Sequence, residues 1–208
     1  EVGPTRGAFP SDTRVQLAYA AKASEYTKVL GAIDDMHELD RRCIESWADP
    51  IRGQILDAGC GPGHWTDLLH RRGADVSGID VTPEFIGSAS TRFPNVRFEV
   101  STFRNLGMAD GGLDGVLAWY SLIHLTPAEL PVVLAEFARV LSPRGQLLLG
   151  FFDGESAEPF DHAITTAYYW STEDMSRMLN EAGFTVVRVE QRQDSGKRKH
   201  AAISAAIR

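Results

Sequence analysis

A glycine-rich turn directly after a short apolar strand constrains this chain more than any other feature. The segment reads Ile55-Leu56-Asp57-Ala58-Gly59-Cys60-Gly61-Pro62-Gly63-His64, and a helical pattern begins at His64. Glycine reaches backbone conformations that other residues avoid and lets a ligand approach the main chain closely. The first turn of the following helix offers unpaired N–H groups. The succession of strand, glycine turn and helix therefore predicts a ligand-binding loop.

Strand and helix patterns alternate from this turn onward. The predicted strands cover residues 54–57, 75–80, 96–100, 114–120 and 146–152. The predicted helices between them cover residues 64–72, a segment that begins at Thr82-Pro83-Glu84, and residues 127–141. Such alternation is typical of a parallel sheet with helices on both faces, wound in the right-handed sense.

The end of the chain breaks this alternation. A capped helix pattern begins at Ser171 and stops at Gly183. Two strand patterns, 184–190 and 201–207, follow it and are joined through Asp194-Ser195-Gly196, which is a hairpin signal. The predicted fold is therefore α/β: a Rossmann-like, doubly wound, seven-stranded sheet, mostly parallel, with an antiparallel C-terminal hairpin strand and helices on both faces.

Two helical segments precede the sheet. Ser11 and Asp12 are predicted to cap the first, which runs to about Leu30. The second ends near Pro50 and carries an apolar face made of Met36, Leu39, Cys43, Ile44 and Trp47. The 208 residues contain no repeat and no long linker, so we predict a single domain in which residues 1–50 form a helical cap or lid on a core at 54–208.

Composition limits the partners and the compartment. The net charge of -7 argues against nucleic acid, and the short run Lys197-Arg198-Lys199-His200 is predicted to be a solvated turn. No stretch approaches the roughly 18–20 consecutive apolar residues of a membrane helix. Cys43 and Cys60 form neither a disulfide framework nor a zinc pattern. We therefore predict a cytoplasmic protein without a membrane partner, a nucleic-acid partner or a metal.

Asp80 points to the class of ligand. It follows Gly59 by 21 residues and stands at the end of the next predicted strand, where a carboxylate can accept both ribose hydroxyls of an adenosine ligand. In the dinucleotide fingerprint, glycines occupy the first, third and sixth positions. Here they fall at Gly59, Gly61 and Gly63, and the sixth position is His64. This spacing favours a different adenosine ligand.

The Asp-x-Gly-x-Gly-x-Gly arrangement from Asp57 to Gly63 resembles the nucleotide-binding loop of the class I S-adenosylmethionine-dependent methyltransferases, in particular those that act on small molecules. The similarity covers roughly residues 54–208. It implies S-adenosylmethionine as cofactor and S-adenosylhomocysteine as product. It also implies that Asp57 supports the cofactor's ammonium group. The residues expected along the amino-acid end of the cofactor are Gly59, Cys60, Gly61 and His64.

The same resemblance implies a role for the ends of the next three strands. Asp80 would bind the ribose and Val81 would touch the adenine. Many family members carry an acid after the third strand that reads the adenine amino group, but this chain has Ser101-Thr102-Phe103 there. The backbone of Thr102 or Phe103 is therefore expected to make the contact. The segment Trp119-Tyr120-Ser121, after the fourth strand, would face the sulfonium.

Tyr19 and Tyr26 lie seven residues apart and share one face of the first helix. Related small-molecule methyltransferases carry a similarly spaced aromatic pair, in which a tyrosine reaches the cofactor carboxylate. The alternative is an amphipathic aromatic stripe that packs on the core. Both interpretations remain open at the level of sequence.

His124 is the candidate catalytic residue. Methyl transfer mainly requires alignment of the reacting atoms, and a base is needed only when the nucleophile arrives protonated. His124 follows the fourth strand, and histidine titrates near neutral pH; the alternative is that it shapes the loop or lines the cofactor. The aromatic segments Phe160-Asp161-His162 and Tyr168-Tyr169-Trp170 either close over a substrate or form a packed loop.

Two other functions remain as alternatives. An NAD(P)-dependent oxidoreductase would share the strand, the glycine turn and Asp80, although no Tyr-x-x-x-Lys pair is present. A non-catalytic protein that binds S-adenosyl ligands would share the whole fold. The short N-terminal cap favours a small-molecule methyl acceptor. The sequence identifies neither the acceptor atom nor the oligomeric state.

Overall fold

The computed structural model describes residues 10–30 and 33–208, so the first nine residues of the predicted 1–50 cap, and residues 31–32, lie outside the described residues. The strands are β1 (Ile55–Ala58), β2 (Val76–Asp80), β3 (Arg97–Val100), β4 (Leu113–Trp119), β5 (Leu141–Phe152), β6 (Pro159–Asp161), β7 (Thr166–Tyr168), β8 (Phe184–Arg192) and β9 (His200–Ile207). The helices are α1 (Pro10–Leu30), α2 (Glu38–Ala48), α3 (His64–Arg71), α4 (Pro83–Arg92), α5 (Leu130–Val140) and α6 (Thr172–Glu181).

Seven of these strands form one sheet in the order β3-β2-β1-β4-β5-β9-β8. The pairs among β1 to β5 are parallel, and β9 runs antiparallel to both of its neighbours. The predicted Rossmann-like, seven-stranded and mostly parallel sheet is therefore confirmed. The hairpin folds back so that its second strand, β9, lies between β5 and β8.

Strand alternation divides the core between the two faces of the sheet. Ile55 and Leu117 point to one face, where they pack with Trp47 of α2 and Leu69 of α3. The residues next to them in β1 and β4 point to the opposite face, which is covered by α5 and α6. Asp57 consequently points to the same side as α3. Helices cover both faces, as the sequence predicts.

Several boundaries differ from the sequence predictions. Helix α1 begins at Pro10, which suits proline in a first turn, so Ser11 and Asp12 lie inside the helix and do not cap it. Thr82 precedes α4 without a side-chain capping bond. Strand β5 begins five residues before Gln146 because Leu141 pairs with Leu113 across a register shift. These differences arise from pairing and packing between distant segments, which local patterns do not report.

The segment between β5 and α6 is more regular than the sequence indicates. Strands β6 and β7 form a separate antiparallel hairpin. Ala167 within β7 and Trp170 just after it are buried. The segment at 197–200, predicted as a solvated turn, packs against the region before and within this hairpin. The Lys199 ammonium lies 2.8 Å from the Asp153 carboxylate, and the Arg198 guanidinium stacks over the Phe160 ring. Within the described ranges, no helix is both long enough and apolar enough to cross a bilayer.

Candidate active site

The carboxyl ends of β1, β2 and β4 meet at the point where the strand order reverses, which is where open α/β sheets bind ligands. A cavity of about 100 Å³, the first cavity, lies at this edge. A second cavity of about 290 Å³ adjoins it. The first cavity includes Asp12, Asp80, Val81, Phe103, Ser121 and His124 in its wall. The second includes Cys60, His64, Phe152, His162 and His200. Both are lined by Tyr19, Tyr26, Gly59, Gly61, Trp119 and Tyr120.

The glycine loop forms the wall that the two cavities share. Gly59 has a φ of +82°, and a Cβ at this position would lie 2.3 Å from the Ser121 Cβ. The loops after β1 and β4 can therefore approach this closely only with glycine at residue 59. Gly61 has a φ of +52°, and a Cβ there would meet no atom within 4 Å. Its backbone thus faces open space in the cavity.

Asp80 connects the end of β2 with the glycine loop. Its Oδ2 accepts a hydrogen bond from the Gly61 N–H at 3.0 Å, and its Oδ1 accepts one from the Thr82 N–H at 2.9 Å. Burial raises the pKa of the Asp80 carboxyl, and these backbone N–H groups oppose the rise. The two bonds hold the carboxylate at the wall of the first cavity.

Asp57 lies behind the loop and lines neither cavity. It is buried on the α3 side of the sheet, where its Oδ2 accepts a hydrogen bond from the Thr66 hydroxyl at 2.7 Å. Burial raises the pKa of this carboxyl to about 7. The visible role of Asp57 is to tie the first turn of α3 to β1. Any influence on a ligand in the cavities would pass through the loop.

Cys60 and His64 enter the second cavity from the glycine loop and the start of α3. Both are buried, and burial lowers the pKa of His64 to about 4. Among the described residues, neither ring nitrogen of His64 has a hydrogen-bond partner. Buried polar groups are normally hydrogen-bonded, so an unpaired imidazole at a cavity wall indicates a place for a ligand or for water.

Helix α1 lies over both cavities and carries two tyrosines. The Tyr19 and Tyr26 ring centroids are 5.5 Å apart, and they lie 5.6 and 5.5 Å from the ring of Phe85 on α4. Both tyrosines also line the two cavities. The aromatic stripe therefore packs on the core and faces the cavities at the same time. The contact of a tyrosine with the cofactor carboxylate stays a prediction.

Tyr19 is bonded to His124. The two side chains meet through Tyr19 OH and His124 Nε2 at 3.0 Å, and His124 Nδ1 lies 2.8 Å from the Thr166 carbonyl oxygen. A carbonyl oxygen only accepts, so Nδ1 carries the hydrogen and Nε2 accepts from Tyr19. Burial lowers the pKa of His124 to about 4 and raises the pKa of Tyr19 well above 10. At neutral pH the imidazole is neutral and the phenol is protonated.

The loop after β3 approaches helix α1. Phe103 lines the first cavity together with Val81, whereas Thr102 does not line it. The Thr102 hydroxyl instead donates to the Asp12 carboxylate over 3.1 Å. Asp12 also accepts a hydrogen bond from the Arg104 guanidinium at 2.7 Å. This group of side chains fixes the first part of α1 against the end of β3.

Aromatic residues surround the far side of the second cavity. Tyr120 has a φ of +56°, which is uncommon for a residue other than glycine, and it follows β4 directly. Its hydroxyl is hydrogen-bonded to Nδ1 of His200. The Phe152 ring lies 5.4 Å from that of His200, and the His162 ring lies 5.2 Å from that of His124. The sequence patterns had placed His200 in a solvated turn.

Residues 55–145 match the family model described as a methyltransferase domain. The matched range runs from β1 into β5, so it contains the glycine loop, Asp80 and the loop after β4. The chain therefore carries a methyltransferase domain, with the fold and the glycine loop of the class I S-adenosylmethionine-dependent methyltransferases. This assignment decides against the NAD(P)-dependent alternative.

Comparisons with individual proteins agree with the family match. The methyltransferase is 28% identical to an uncharacterised methyltransferase of Synechocystis sp. (strain PCC 6803), with 82% of this chain and 83% of that protein covered. It is 26% identical to a malonyl-[acyl-carrier protein] O-methyltransferase of Serratia marcescens, over 77% of this chain but only 61% of that protein.

A solved structure confirms the fold independently. A Burkholderia thailandensis 1,6-didemethyltoxoflavin-N1-methyltransferase with bound S-adenosylhomocysteine superposes with a TM-score of 0.76. The match covers 98% of this chain and 93% of that one. At 18% identity, this likeness concerns the fold alone.

The cofactor is S-adenosylmethionine, and the residues present suit it. Gly61 leaves room at the loop where the methionine end is expected, and the Asp80 carboxylate is available for ribose hydroxyls. The Ser121 hydroxyl is buried at the first cavity and has no hydrogen-bond partner within the described part of the chain. In those same ranges, no group of three or more His, Cys, Asp or Glu side chains is arranged to hold a metal ion.

The structure brings most of the predicted site residues of the methyltransferase to the two cavities, with Asp57 and Thr102 behind the walls. Sequence reasoning missed Phe85 and Arg104 as parts of this region, whereas it had named the segment with His162 as one that could close over a substrate. Phe85 follows the predicted helix start by three residues, and that spacing alone could have indicated an inward-facing side chain. Arg104 had no local signal, because its partners lie far away in the sequence.

Proposed function

We propose that this methyltransferase transfers a methyl group to a hydroxyl oxygen of a small organic acceptor bound in the second cavity. One observation carries the proposal: Tyr19, Trp119 and Tyr120 line both cavities, so an acceptor on the far side of the second would lie directly beside a cofactor that extends along the glycine loop from the first. S-adenosylmethionine supplies an already reactive methyl group when bound. The task of the protein is then to align the acceptor and to exclude water.

The choice of oxygen rests on two further points. Malonyl-[acyl-carrier protein] and magnesium-protoporphyrin relatives are both O-methyltransferases by name, with 26% and 36% identity over the matched parts. The chain spans 61% and 52% of those two relatives, so their acceptors do not carry over. The hydrogen-bonded pair Tyr19–His124 adds a chemical reason, since it provides a path for the proton of a hydroxyl.

The proton path uses the orientation of this pair. The oxygen of Tyr19 accepts the acceptor's O–H proton while the phenolic proton moves to Nε2 of His124. The Thr166 carbonyl holds the ring in the tautomer that leaves Nε2 able to accept. The net charge of the cavity is unchanged, because His124 gains one positive charge as the sulfonium loses one.

In this arrangement the two tyrosines have separate roles. Tyr19 is bonded to His124, which leaves Tyr26 as the tyrosine of α1 that can reach the cofactor carboxylate. Burial raises the pKa of Tyr26 to about 12, so its hydroxyl remains a hydrogen-bond donor at neutral pH. His64, whose ring nitrogens have no hydrogen-bond partner among the described residues, is available to the methionine end of the cofactor or to the acceptor.

The test is a turnover assay with S-adenosylmethionine and a panel of small phenols, alcohols, carboxylic acids and amines, with S-adenosylhomocysteine as the measured product. We expect turnover with a hydroxyl acceptor and at least a tenfold loss of kcat in Tyr19→Phe and His124→Gln, within the range of general base catalysis. Tyr168→Phe, which lies outside both cavities, is the matched control.

The assay distinguishes the proton path from the non-catalytic alternative. Turnover restricted to carboxylic acids, with kcat unchanged in Tyr19→Phe, would contradict the proton path and the hydroxyl acceptor. Binding of S-adenosylhomocysteine without turnover on any acceptor class would instead favour the non-catalytic ligand-binding alternative.

We also propose a cytoplasmic location and an acceptor that is not a nucleic acid. Both cysteines of the chain, Cys43 and Cys60, are free, which suits a reducing compartment. The net charge of -7 disfavours a polyanionic partner. Cell fractionation tests the first point, and a filter-binding assay with RNA and DNA tests the second.

A further inference from the structure

The loop after β3 lacks a carboxylate, but helix α1 brings one to it. Asp12 is separated from Thr102 by 90 residues, yet its Oδ2 accepts a hydrogen bond from the Thr102 hydroxyl at 3.1 Å. Asp12 also lines the first cavity, together with Val81 and Phe103. These two residues follow β2 and β3, where the adenine ring is expected. An acid from a separate element thus stands at the edge of the predicted adenine site.

We propose that Asp12 reads the 6-amino group of the cofactor's adenine and so makes helix α1 part of the base-recognition site. This inference rests on the placement of the adenosine in the first cavity. A 6-amino group donates hydrogen bonds, and a carboxylate only accepts them. Each carboxylate oxygen has two acceptor positions, of which Thr102 and Arg104 use one apiece. One position on each oxygen therefore remains for the base.

Arg104 positions this carboxylate. Its side chain is 2% exposed and lies between two acids, with Nε 2.7 Å from Asp12 Oδ1 and Nη1 3.3 Å from Glu129 Oε1. A buried arginine with carboxylates on two sides has little freedom to move. Glu129 lies just before α5 and does not line the first cavity. Arg104 thus connects Asp12 of α1 to Glu129, which precedes α5 in the core.

The proposal links base selection to the docking of α1. A base with a 6-amino group would bond α1 to the first cavity, whereas a base with a 6-oxo group would place two acceptors against each other. The 6-oxo oxygen and the Asp12 carboxylate would face each other without a hydrogen between them, and such a mismatch at a polar site disfavours the ligand strongly. The enzyme is therefore expected to prefer adenine to hypoxanthine only while Asp12 is in place.

Calorimetric titration of the full chain with S-adenosylhomocysteine and with S-inosylhomocysteine, its 6-oxo analogue, tests this. We expect the wild type to bind the adenine compound at least tenfold more tightly. Asp12→Asn should shift the ratio of the two Kd values by at least tenfold toward the 6-oxo compound, because an amide N–H can donate to the oxo group. Asp12→Ala should lose affinity for the adenine compound without gaining affinity for the other.

Glu129→Gln is the matched control. It removes the negative charge beside Arg104 at a residue that does not line the first cavity, so any loosening of α1 should weaken both ligands equally and leave the ratio unchanged. A ratio in Asp12→Asn equal to that of the wild type would overturn the inference, and so would a wild type without preference. Absence of S-adenosylhomocysteine binding to the wild type would instead refute the placement of the cofactor.

Discussion

Asp80 illustrates how a single carboxylate can organise backbone and ligand together. Its Oδ2 accepts the Gly61 N–H and its Oδ1 accepts the Thr82 N–H, and a carboxylate oxygen can accept more than one donor. The bonds to the backbone fix the carboxylate before any ligand arrives. A preorganised acceptor loses little conformational entropy on binding, so its hydrogen bonds to ribose hydroxyls contribute fully.

Replacement of Asp80 by alanine should therefore weaken S-adenosylhomocysteine binding at least tenfold. Each hydrogen bond to a charged acceptor contributes about 1.5–3 kcal/mol, and about 1.4 kcal/mol corresponds to a factor of ten. Isothermal titration calorimetry measures the change. Asp75→Ala, an exposed acid just before β2, is the control and should bind normally. An unaltered Kd in Asp80→Ala would place the ribose elsewhere.

The pKa of His124 predicts a pH dependence of stability. Burial lowers this pKa from 6.5 to about 4 in the folded protein. Between these values the unfolded chain binds more protons at this residue than the folded chain, so the free energy of unfolding falls as the pH falls. Relative to His124→Gln, the wild type should lose up to about 1.4 kcal/mol for each pH unit in this window.

Urea unfolding of both proteins at several pH values in this window measures the effect. His70→Gln, which removes an exposed histidine on α3, controls for the loss of an imidazole outside the cavities. If the stability difference between the wild type and His124→Gln stays constant with pH, the burial argument for His124 fails.

At the scale of elements, α1 is held by few contacts and by little buried surface. Among residues 12–28 of α1, whose burial is described, Ala23 is the one that belongs to the buried core. The other attachments are polar or aromatic: Asp12 to Arg104, Tyr19 to His124, and the Lys22 ammonium to the Ala163 carbonyl at 2.7 Å. Elements with few buried apolar contacts open most readily. Helix α1 has the attachments expected of a lid.

Ligand binding should consequently protect α1. We expect amide exchange across residues 12–30 to slow when S-adenosylhomocysteine is bound, because the ligand adds contacts to Tyr26 and Asp12. Helix α6, on the far side of the sheet, is the internal reference and should not change. Deletion of residues 1–30 should weaken binding and abolish transfer while the circular dichroism of the sheet persists. Equal exchange of α1 in both states would show that it is not a lid.

At the scale of the molecule, β9 joins the edge strand β8 to the parallel part of the sheet. It pairs with β5 on one side and with β8 on the other over most of its length. Its central residue Ile203 is fully buried against the α5 and α6 face. Loss of packing there affects β5, β8 and β9 together. The predicted single domain should therefore unfold as one unit.

Thermal and urea unfolding test this expectation. Ile203→Ala should reduce the free energy of unfolding by about 2–5 kcal/mol, the usual loss for a buried isoleucine. Val187→Ala, at an exposed position of β8, should change it by no more than about 0.5 kcal/mol. Circular dichroism and tryptophan fluorescence should report coincident transitions. Two separate transitions would contradict the single-domain prediction.

The sequence by itself determined the features that depend on neighbouring residues. Strand alternation, the turn of Gly59 and Gly61, and the hairpin signal at residues 194–196 are local, so they predicted the strands, the binding loop and the antiparallel end. Asp80 followed from its fixed distance to the loop within one strand–helix–strand unit. The same local patterns carried the resemblance that identified the family and its cofactor.

Only the tertiary structure decided which distant residues meet. Tyr19 and His124 are 105 residues apart, and sequence patterns could not assign the two tyrosines of α1 to different partners. The position of β9 between β5 and β8, and the approach of Asp12 to Thr102, likewise depend on how whole elements pack. Such contacts follow from burial of apolar faces across the chain, which no short segment encodes.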